Sequence, residues 1–425
     1  MKKLILLIFL ASLCKAQTWQ WARAETVFAE GISMSTDPAG NSYLVGYNVT
    51  TAVVGPYTIS TPNSGIVIKY DAAGNMLWLN TLTSSGGPVQ AFGVSCDNSG
   101  NIFVTGHFFG TLTAGSYTAA SNGSLMDVFV VKYNAAGNVL WLKSFGGNNG
   151  DLSNSASTDN AGNCYITGYY SSINITFGTY TLTNTVSGSF NYFLTKLDAN
   201  GNTLWAVGGQ AGQSQSNQVC TDPSGDVAIA GTFSGSIIAG TSTLNSQGGF
   251  DMFIAKYTSA GALAWFNNYG GTSDDIAYCV TSDPAGNFYF GGSFASPTVV
   301  TGNTSIVNTV SFSTFPSHDG CFMKLGASGS FQWSRSYGGN GKEILWALAA
   351  NTNSLFVFGA LGSNTASIGS TTLTIAANSD TGVLGFYDLS GNLSTAWAMA
   401  AGGDDWSSLT FDKNCNLYLG GDIIP

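Results

Sequence analysis

Seven oxygen-bearing side chains recur at one position of this sequence: Glu30, Gln90, Asp151, Gln215, Asp275, Glu343 and Asp405. Each stands seven or eight residues before a polar turn, at the start of a short apolar segment. Five carboxylates and two amides brought near one axis would ring a channel mouth. Such a ring could hold a hard cation such as calcium, which takes oxygen ligands, or attract a cationic ligand. Carboxylates so gathered could also supply the acid and base of a glycosidase. Against these stands a plainer chemistry, in which each side chain caps the backbone of its own connection, which would itself explain the repetition.

Other reactive types give little. His107 and His318 are the only histidines, and neither has metal or triad spacing. No Gly-x-Ser-x-Gly occurs. The neighbouring pairs Asp274-Asp275 and Asp404-Asp405 are no dyads on a strand, where adjacent side chains point to opposite faces. Lys69, Lys132, Lys196, Lys256 and Lys324 share one place in the pattern, and this argues for pairing with a turn aspartate or backbone carbonyls. Tyr57, Tyr117 and Tyr180, with Phe108, Phe109, Tyr169, Tyr170 and the segment Phe312 to Phe315, suit a sugar or protein surface, or else cover outer strands.

What positions these residues is a repeat of about 60 residues. An Asp-x-x-Gly-Asn turn, an aromatic segment and a Gly run from Asp37 to Gly46, Asp97 to Gly106, Asp159 to Gly168, Asp222 to Gly231 and Asp283 to Gly291. Looser copies run from Asn351 to Gly359 and from Asp412 to Gly420. A Lys-aromatic segment and a second Gly turn then lead to Trp78, Trp141, Trp205, Trp265, Trp333 and Trp397, with Trp21 one repeat earlier. β-Branched and aromatic runs between Gly and Asn read as strands. In each turn the Asp side chain accepts from the backbone two residues on, and Gly takes the left-handed position.

Each unit therefore predicts four antiparallel strands, a to d, and the fold class is all-β: a seven-bladed β-propeller of four-stranded blades. The last blade is shared by the N- and C-terminal segments. Trp19 to Ala22 supplies its strand d and Leu409 to Gly421 its strands a and b. Strand c of that blade has no counterpart, so the blade is incomplete or the natural chain continues past Pro425. The a–b and c–d turns fall on one face of the disc. The b–c and d–a connections fall on the other, where binding residues gather.

The N-terminus predicts export. Lys2 and Lys3, the apolar run Leu4 to Leu13 and Ala16 read as a signal peptide over residues 1–16, leaving 17–425 as a single propeller domain. Cys14 gives a lesser, lipoprotein reading, weakened by Leu13 before it. No other segment is long and apolar enough to span a bilayer. Localisation is thus secreted or outer cell surface. Cys96, Cys164, Cys220, Cys279, Cys321 and Cys415 sit at unlike places of the repeat, which favours buried thiols over a disulfide framework. A net charge of −10 argues against nucleic acid as partner.

The motifs Asp283-Pro-Ala-Gly-Asn-Phe-Tyr289, Asp251-Met-Phe-Ile-Ala-Lys256 and Trp265 to Gly271 resemble the SBBP-type β-propeller repeat of secreted bacterial proteins, many from Bacteroidetes. The resemblance covers nearly all of the chain after residue 16. It implies the propeller fold and no assigned activity. Many such proteins carry a C-terminal sorting domain for type IX secretion. The functional expectation is a monomeric, non-enzymatic scaffold without an assigned cofactor, binding a glycan or protein on the b–c/d–a face. The alternatives are a carbohydrate-active hydrolase or lyase using the carboxylate ring, and a purely structural module of a larger surface protein.

Overall fold

The structure, a computed structural model, describes residues 3–10, 19–25, 29–309, 317–369, 371–374, 381–399 and 408–423. Within these the secondary structure is β only, and the strands pair antiparallel. The chain divides into two compact units: residues 1–208 with 406–425, and residues 209–405.

The first unit holds three sheets in simple a-b-c-d order. Ala29–Thr36, Ser42–Asn48, Gly65–Tyr70 and Met76–Ser84 form one. Val89–Cys96, Ile102–Phe108, Asp127–Tyr133 and Val139–Phe145 form the next. Asp151–Thr158, Cys164–Tyr170, Asn191–Leu197 and Thr203–Gly208 form the third. The second unit repeats the pattern from Gln213–Thr221 to Leu263–Tyr269, from Asp275–Ser282 to Phe331–Gly339 and from Glu343–Ala350 to Leu393–Met399. These four-stranded antiparallel sheets are consistent with the blades of a β-propeller.

Strands b and c are buried on both faces, as in Ile102–Phe108 and Asp127–Tyr133. Buried side chains therefore lie between successive sheets. Tyr43, Val45 and Val67 of one sheet pack with Val104, Phe129 and Val131 of the next. In the second unit Ala228 and Ile254 pack with Phe288, Phe290 and Met323.

A fourth sheet in the first unit joins the two ends of the chain. Its order is Trp19–Glu25, Lys3–Leu10, Asn416–Ile423, Ser408–Phe411. The N-terminal strand d and the C-terminal strands a and b stand as the sequence predicts. The strand c position, which has no repeat sequence, is taken by Lys3–Leu10, inside the segment that reads as an export leader.

The surplus between strands b and c is ordered rather than a set of loops. Each b–c connection folds a hairpin, such as Thr111–Ala114 with Tyr117–Ala120 and Asn174–Phe177 with Tyr180–Thr183. Some hairpins extend the strand d of the preceding sheet: Leu112 pairs with Ser84, and Ile368 with Tyr337. The tip at Gly115 comes beside Val139 of its own strand d. These hairpins thus run along the outer strands and do not simply crown one face.

Candidate functional site

The described carboxylates of the recurring set are bound into their own connections. Asp151 is fully buried. Its Oδ2 accepts from Gly147 N at 2.8 Å and Ser172 Oγ at 2.8 Å, and its Oδ1 from the backbone N–H groups of Ser171 and Ser172 at 3.2 Å. Asp275 repeats this with Gly271 N at 2.8 Å, Ser296 Oγ at 2.7 Å and Ser296 N at 3.1 Å. Glu343 does so with Gly339 N at 3.1 Å and the Ser363 hydroxyl. Each carboxylate ties the d–a connection before it to the b–c connection of its own sheet. This is the capping chemistry, and it occupies the oxygens that a calcium ion would need. Gln90 instead meets His107, with Oε1 and Nε2 2.7 Å apart, and Gln215 donates to Asn217 Oδ1 at 3.2 Å. Glu30 lies on Ala29–Thr36, but its side chain is outside the described residues, as is Asp405. Among the described residues no group of three or more His, Cys, Asp or Glu side chains is placed to hold a metal.

A second carboxylate stands at each of these junctions, five residues before a strand-c lysine. Its spacing from that lysine does not reveal its place beside the first acid. Asp127, Asp251 and Asp319 open their strands c and are fully buried. The Gly-Gly of the following connection separates the two acids. A Cβ on Gly146 would lie 2.1 Å from the Asp127 carboxyl, while Gly147 donates to Asp151. Gly270 and Gly271 stand likewise between Asp251 and Asp275, and Gly338 and Gly339 between Asp319 and Glu343. Burial pushes Asp127 up to about 7, opposed by its bond from Asn122 N and aided by the Asp151 charge. Burial raises Asp251 and Asp319 to about 6 and Glu343 to about 7. Oδ1 of Asp127 and of Asp251 has no hydrogen-bond partner among the described residues. An acid that keeps its proton suits such a buried place.

The turn aspartates Asp37, Asp159 and Asp222 behave oppositely. Asp37 Oδ1 accepts from Ala39 N and Asn41 N at 2.9 Å, and Oδ2 from Asn41 Nδ2 at 2.7 Å and Tyr43 OH at 3.0 Å. Burial alone would raise it, but these bonds and the Lys69 charge outweigh burial and hold it below its ordinary value. Gly40 takes φ 83°, as the turn requires. The five strand-c lysines pair as the sequence predicts, Lys69 with Asp37 at 3.6 Å, Lys132 with Asp97 at 3.7 Å and Lys256 with Asp222 at 2.9 Å. Lys196 pairs with Asp159 at 3.2 Å and Lys324 with Asp283 at 3.9 Å.

Strand a, the inner strand, carries a bulge in each of the six sheets built from repeat sequence, while Ser408–Phe411 pairs without one. At Phe92, Asn154, Asn217, Tyr278 and Trp346 the bulge position holds an aromatic or amide side chain, not an acid. A bulge turns a side chain out of the pleat. Phe92 stacks on His107 at 5.2 Å, and Tyr278 lies 4.8 Å from Trp346. Burial lowers His107 to about 4, so it is neutral. The strand-b glycine follows from the same bulge, since a Cβ on Gly106 would lie 1.9 Å from the carbonyl oxygen of Gln90.

The aromatics of the b–c connections divide. Phe108 and Tyr170 are buried in the core, which corrects their reading as surface groups: they end strand b and point between sheets. Tyr117 and Tyr180, on the hairpins, are 40% and 38% exposed. Val49, Val53, Leu125, Ile173, Val186, Val300 and Val307 are exposed on the same connections. Phe312 to Phe315 lie outside the described residues. A cavity of about 330 Å³ opens between Asn80, Thr81, Ser116 and Asn138, with Tyr133 in its wall. All six cysteines after residue 16 are free thiols.

No family profile matches the chain. An uncharacterised WD repeat-containing protein of Acanthamoeba polyphaga mimivirus is 25% identical over an alignment covering 66% of this chain. The alignment spans 26% of that relative's own length. A protein of unknown function from Bacteroides caccae covers 79% of this chain at 10% identity and TM-score 0.38, 94% of its own chain being matched. Sqt1 from Chaetomium thermophilum covers 94% at 9% identity and TM-score 0.39, with 97% of its own chain matched. The repeat, the antiparallel four-stranded sheets and the WD repeat relative are consistent with a β-propeller repeat protein. Among the described residues no helix is long and apolar enough to cross a membrane.

Proposed function

We propose that this chain is an exported, seven-bladed β-propeller that closes by pairing its two ends and acts as a non-enzymatic binding scaffold at the cell surface. The binding region is the side bearing the b–c and d–a connections, extended down the outer strands by the b–c hairpins. Its ligand class is a glycan or a surface protein. The observation that carries this reading is where exposed apolar side chains fall. Among the described residues nine of the twelve exposed large apolar side chains stand on the b–c connections, Tyr117, Tyr180, Ile173, Val53, Val300 and Val307 among them. The other three, Leu77, Leu140 and Leu204, share one place on strand d. Scattered exposed apolar residues are ordinary; their recurrence on one element of the repeat is what favours a contact surface.

The carboxylates support the same reading. Asp151, Asp275 and Glu343 are consumed as caps, so the acid and base of a hydrolase would have to come from elsewhere. Calcium at these positions would have to displace donors already in place. The test is a glycan and surface-protein array run beside a hydrolysis and lyase screen on one preparation. Binding without new reducing ends or unsaturated sugars is expected. Turnover would overturn the scaffold reading in favour of an enzyme, and no binding to any member would favour a structural module.

A further inference from the structure

In five sheets the a–b turn opens with aspartate and strand c comes from repeat sequence; that strand carries a lysine opposite the residue six after the aspartate. The sheet with Asn351 at its turn has no lysine on its strand c, Thr381–Asp388. The pairs are Lys69 with Tyr43, Lys132 with Phe103, Lys196 with Tyr165, Lys256 with Ala228 and Lys324 with Tyr289. The lysine reaches that aspartate, and in three cases also a carbonyl in the c–d turn of the next sheet. Lys69, Lys132 and Lys324 donate to the carbonyls of Ala135, Ala199 and Leu389, each at 3.0 Å. A strand-d tryptophan donates to the same oxygen: Trp78, Trp141 and Trp333.

The sheet that joins the chain ends has the whole receptor for this lysine and not the lysine. Asp412 is buried in its turn, holding Asn414 N and Asn416 N at 2.9 Å and Asn416 Nδ2 at 2.8 Å. Tyr418 stands six residues on, its hydroxyl 3.4 Å from Asp412 Oδ2. Ala72 O accepts from Trp21 Nε1 at 3.0 Å. The residue opposite Tyr418 is Ile8, and among the described residues no cation pairs with Asp412. Lys3–Leu10 pairs along the position, from Lys3 opposite Ile423 to Leu10 opposite Asn416.

Both walls of the position are anchored without the strand between them. Tyr418 OH donates to Gly40 O at 2.9 Å and Thr36 Oγ1 to Phe411 O at 2.7 Å. Trp21 is held at Ala72, and its ring lies 6.4 Å from Tyr70. Removing Lys3–Leu10 would leave two facing rows of backbone donors and acceptors, which buried sheets do not leave unmet. We propose that the gap between Asn416–Ile423 and Trp19–Glu25 is a strand-acceptor site for an apolar, lysine-bearing strand of the Asp-x-Phe-x-x-Lys type. The incoming lysine sits opposite Tyr418 and bonds Asp412 and Ala72 O. This rests on the reading of residues 1–16 as a leader that is removed.

The experiment uses the chain beginning at residue 17 and a fluorescent peptide copying residues 124–135, which contain this chain's own Asp127–Tyr133 strand. The shortened chain is expected to bind the peptide and to melt higher with it, while the uncleaved chain does not bind. A peptide with Lys132→Ala binds roughly tenfold more weakly, the scale of a buried charge-assisted hydrogen bond. In an Asp412→Asn chain, which keeps the turn's hydrogen-bond acceptor and the Ala72 carbonyl but loses the charge, the difference between the two peptides narrows. Equal binding of both peptides to the unaltered shortened chain would overturn the proposal. So would failure of either to bind, or a dimer of shortened chains that the peptide does not dissociate. Mass spectrometry of the exported protein separates the two premises: an intact Lys3–Leu10 segment there refutes the leader, while peptide failure on the shortened chain refutes the acceptor site alone.

Discussion

Lys132 and Trp141 donate to one carbonyl oxygen, that of Ala199, at 3.0 and 3.1 Å. They stand opposite each other on strands c and d of one sheet, and Ala199 lies in the c–d turn of the next. Lys132 also pairs with Asp97 at 3.7 Å and lies 4.6 Å over the Phe103 ring. One ammonium group thus ties a turn of its own sheet to a turn of its neighbour. This explains why a chain with only 13 Lys and Arg residues spends five lysines on one repeat position.

Lys132→Met should therefore destabilise the fold by about 3 kcal/mol, since it leaves a buried aspartate without its partner. Trp141→Phe, which keeps most of the ring packing, should cost about 1 kcal/mol. Because each single variant leaves Ala199 O one donor and only the double variant leaves it none, the double should cost more than the sum. Denaturant unfolding of the three variants measures this, and strict additivity would contradict the shared latch.

The buried acids give stability a definite pH dependence. Asp127 at about 7, with Asp251 and Asp319 at about 6, binds protons more tightly folded than unfolded. Their contribution is fully present below about pH 4, the unfolded value, and is lost as pH rises through 6 to 7. Asp37, Asp159 and Asp222 are held low, so theirs is present above about pH 4 and lost as pH falls. The melting temperature should be higher at pH 5.5 than at pH 8.0, by roughly several degrees. Asp127→Asn should flatten that slope. The midpoint belongs to the Asp127–Asp151 pair rather than to either acid. A melting temperature that rises from pH 5.5 to 8.0 would refute the assignment.

The last turn of the repeat contains a local misfit. Cys415 takes φ 61° where the matching turns have Gly40, Gly100, Gly162, Gly225 and Gly286. A side chain there costs about 1 kcal/mol, because Cβ crowds the following carbonyl. Cys415→Gly should raise stability by roughly that amount in the same unfolding measurement.

Much of this was legible in the residues. The Asp-x-x-Gly-Asn turns, the strand order and the lysine–aspartate pairs follow from local chemistry repeated at fixed spacing. The role of Asp151 and Asp275 was legible as one of two readings, and choosing between them required seeing Ser172 and Ser296 donate from across the sheet. The strand-a bulge was not legible: nothing in Val-Gln-Ala-Phe-Gly announces that Phe92 is the extra residue, although the invariant use of glycine opposite it, at Gly106 and Gly168, was a trace of the close approach. The hairpins between strands b and c were hidden by their short strands, often four residues, bounded by the same Gly, Ser and Asn that mark loops.

The most direct measurement compares Asp275→Asn with Tyr117→Ser/Tyr180→Ser on the glycan and surface-protein array, with a melting curve for each. If the acids are caps and the hairpins are the contact surface, Asp275→Asn shifts the melting temperature and leaves array binding unchanged. The tyrosine variant then keeps its melting temperature and loses binding. Loss of binding in folded Asp275→Asn, with full binding in the tyrosine variant, would contradict the account.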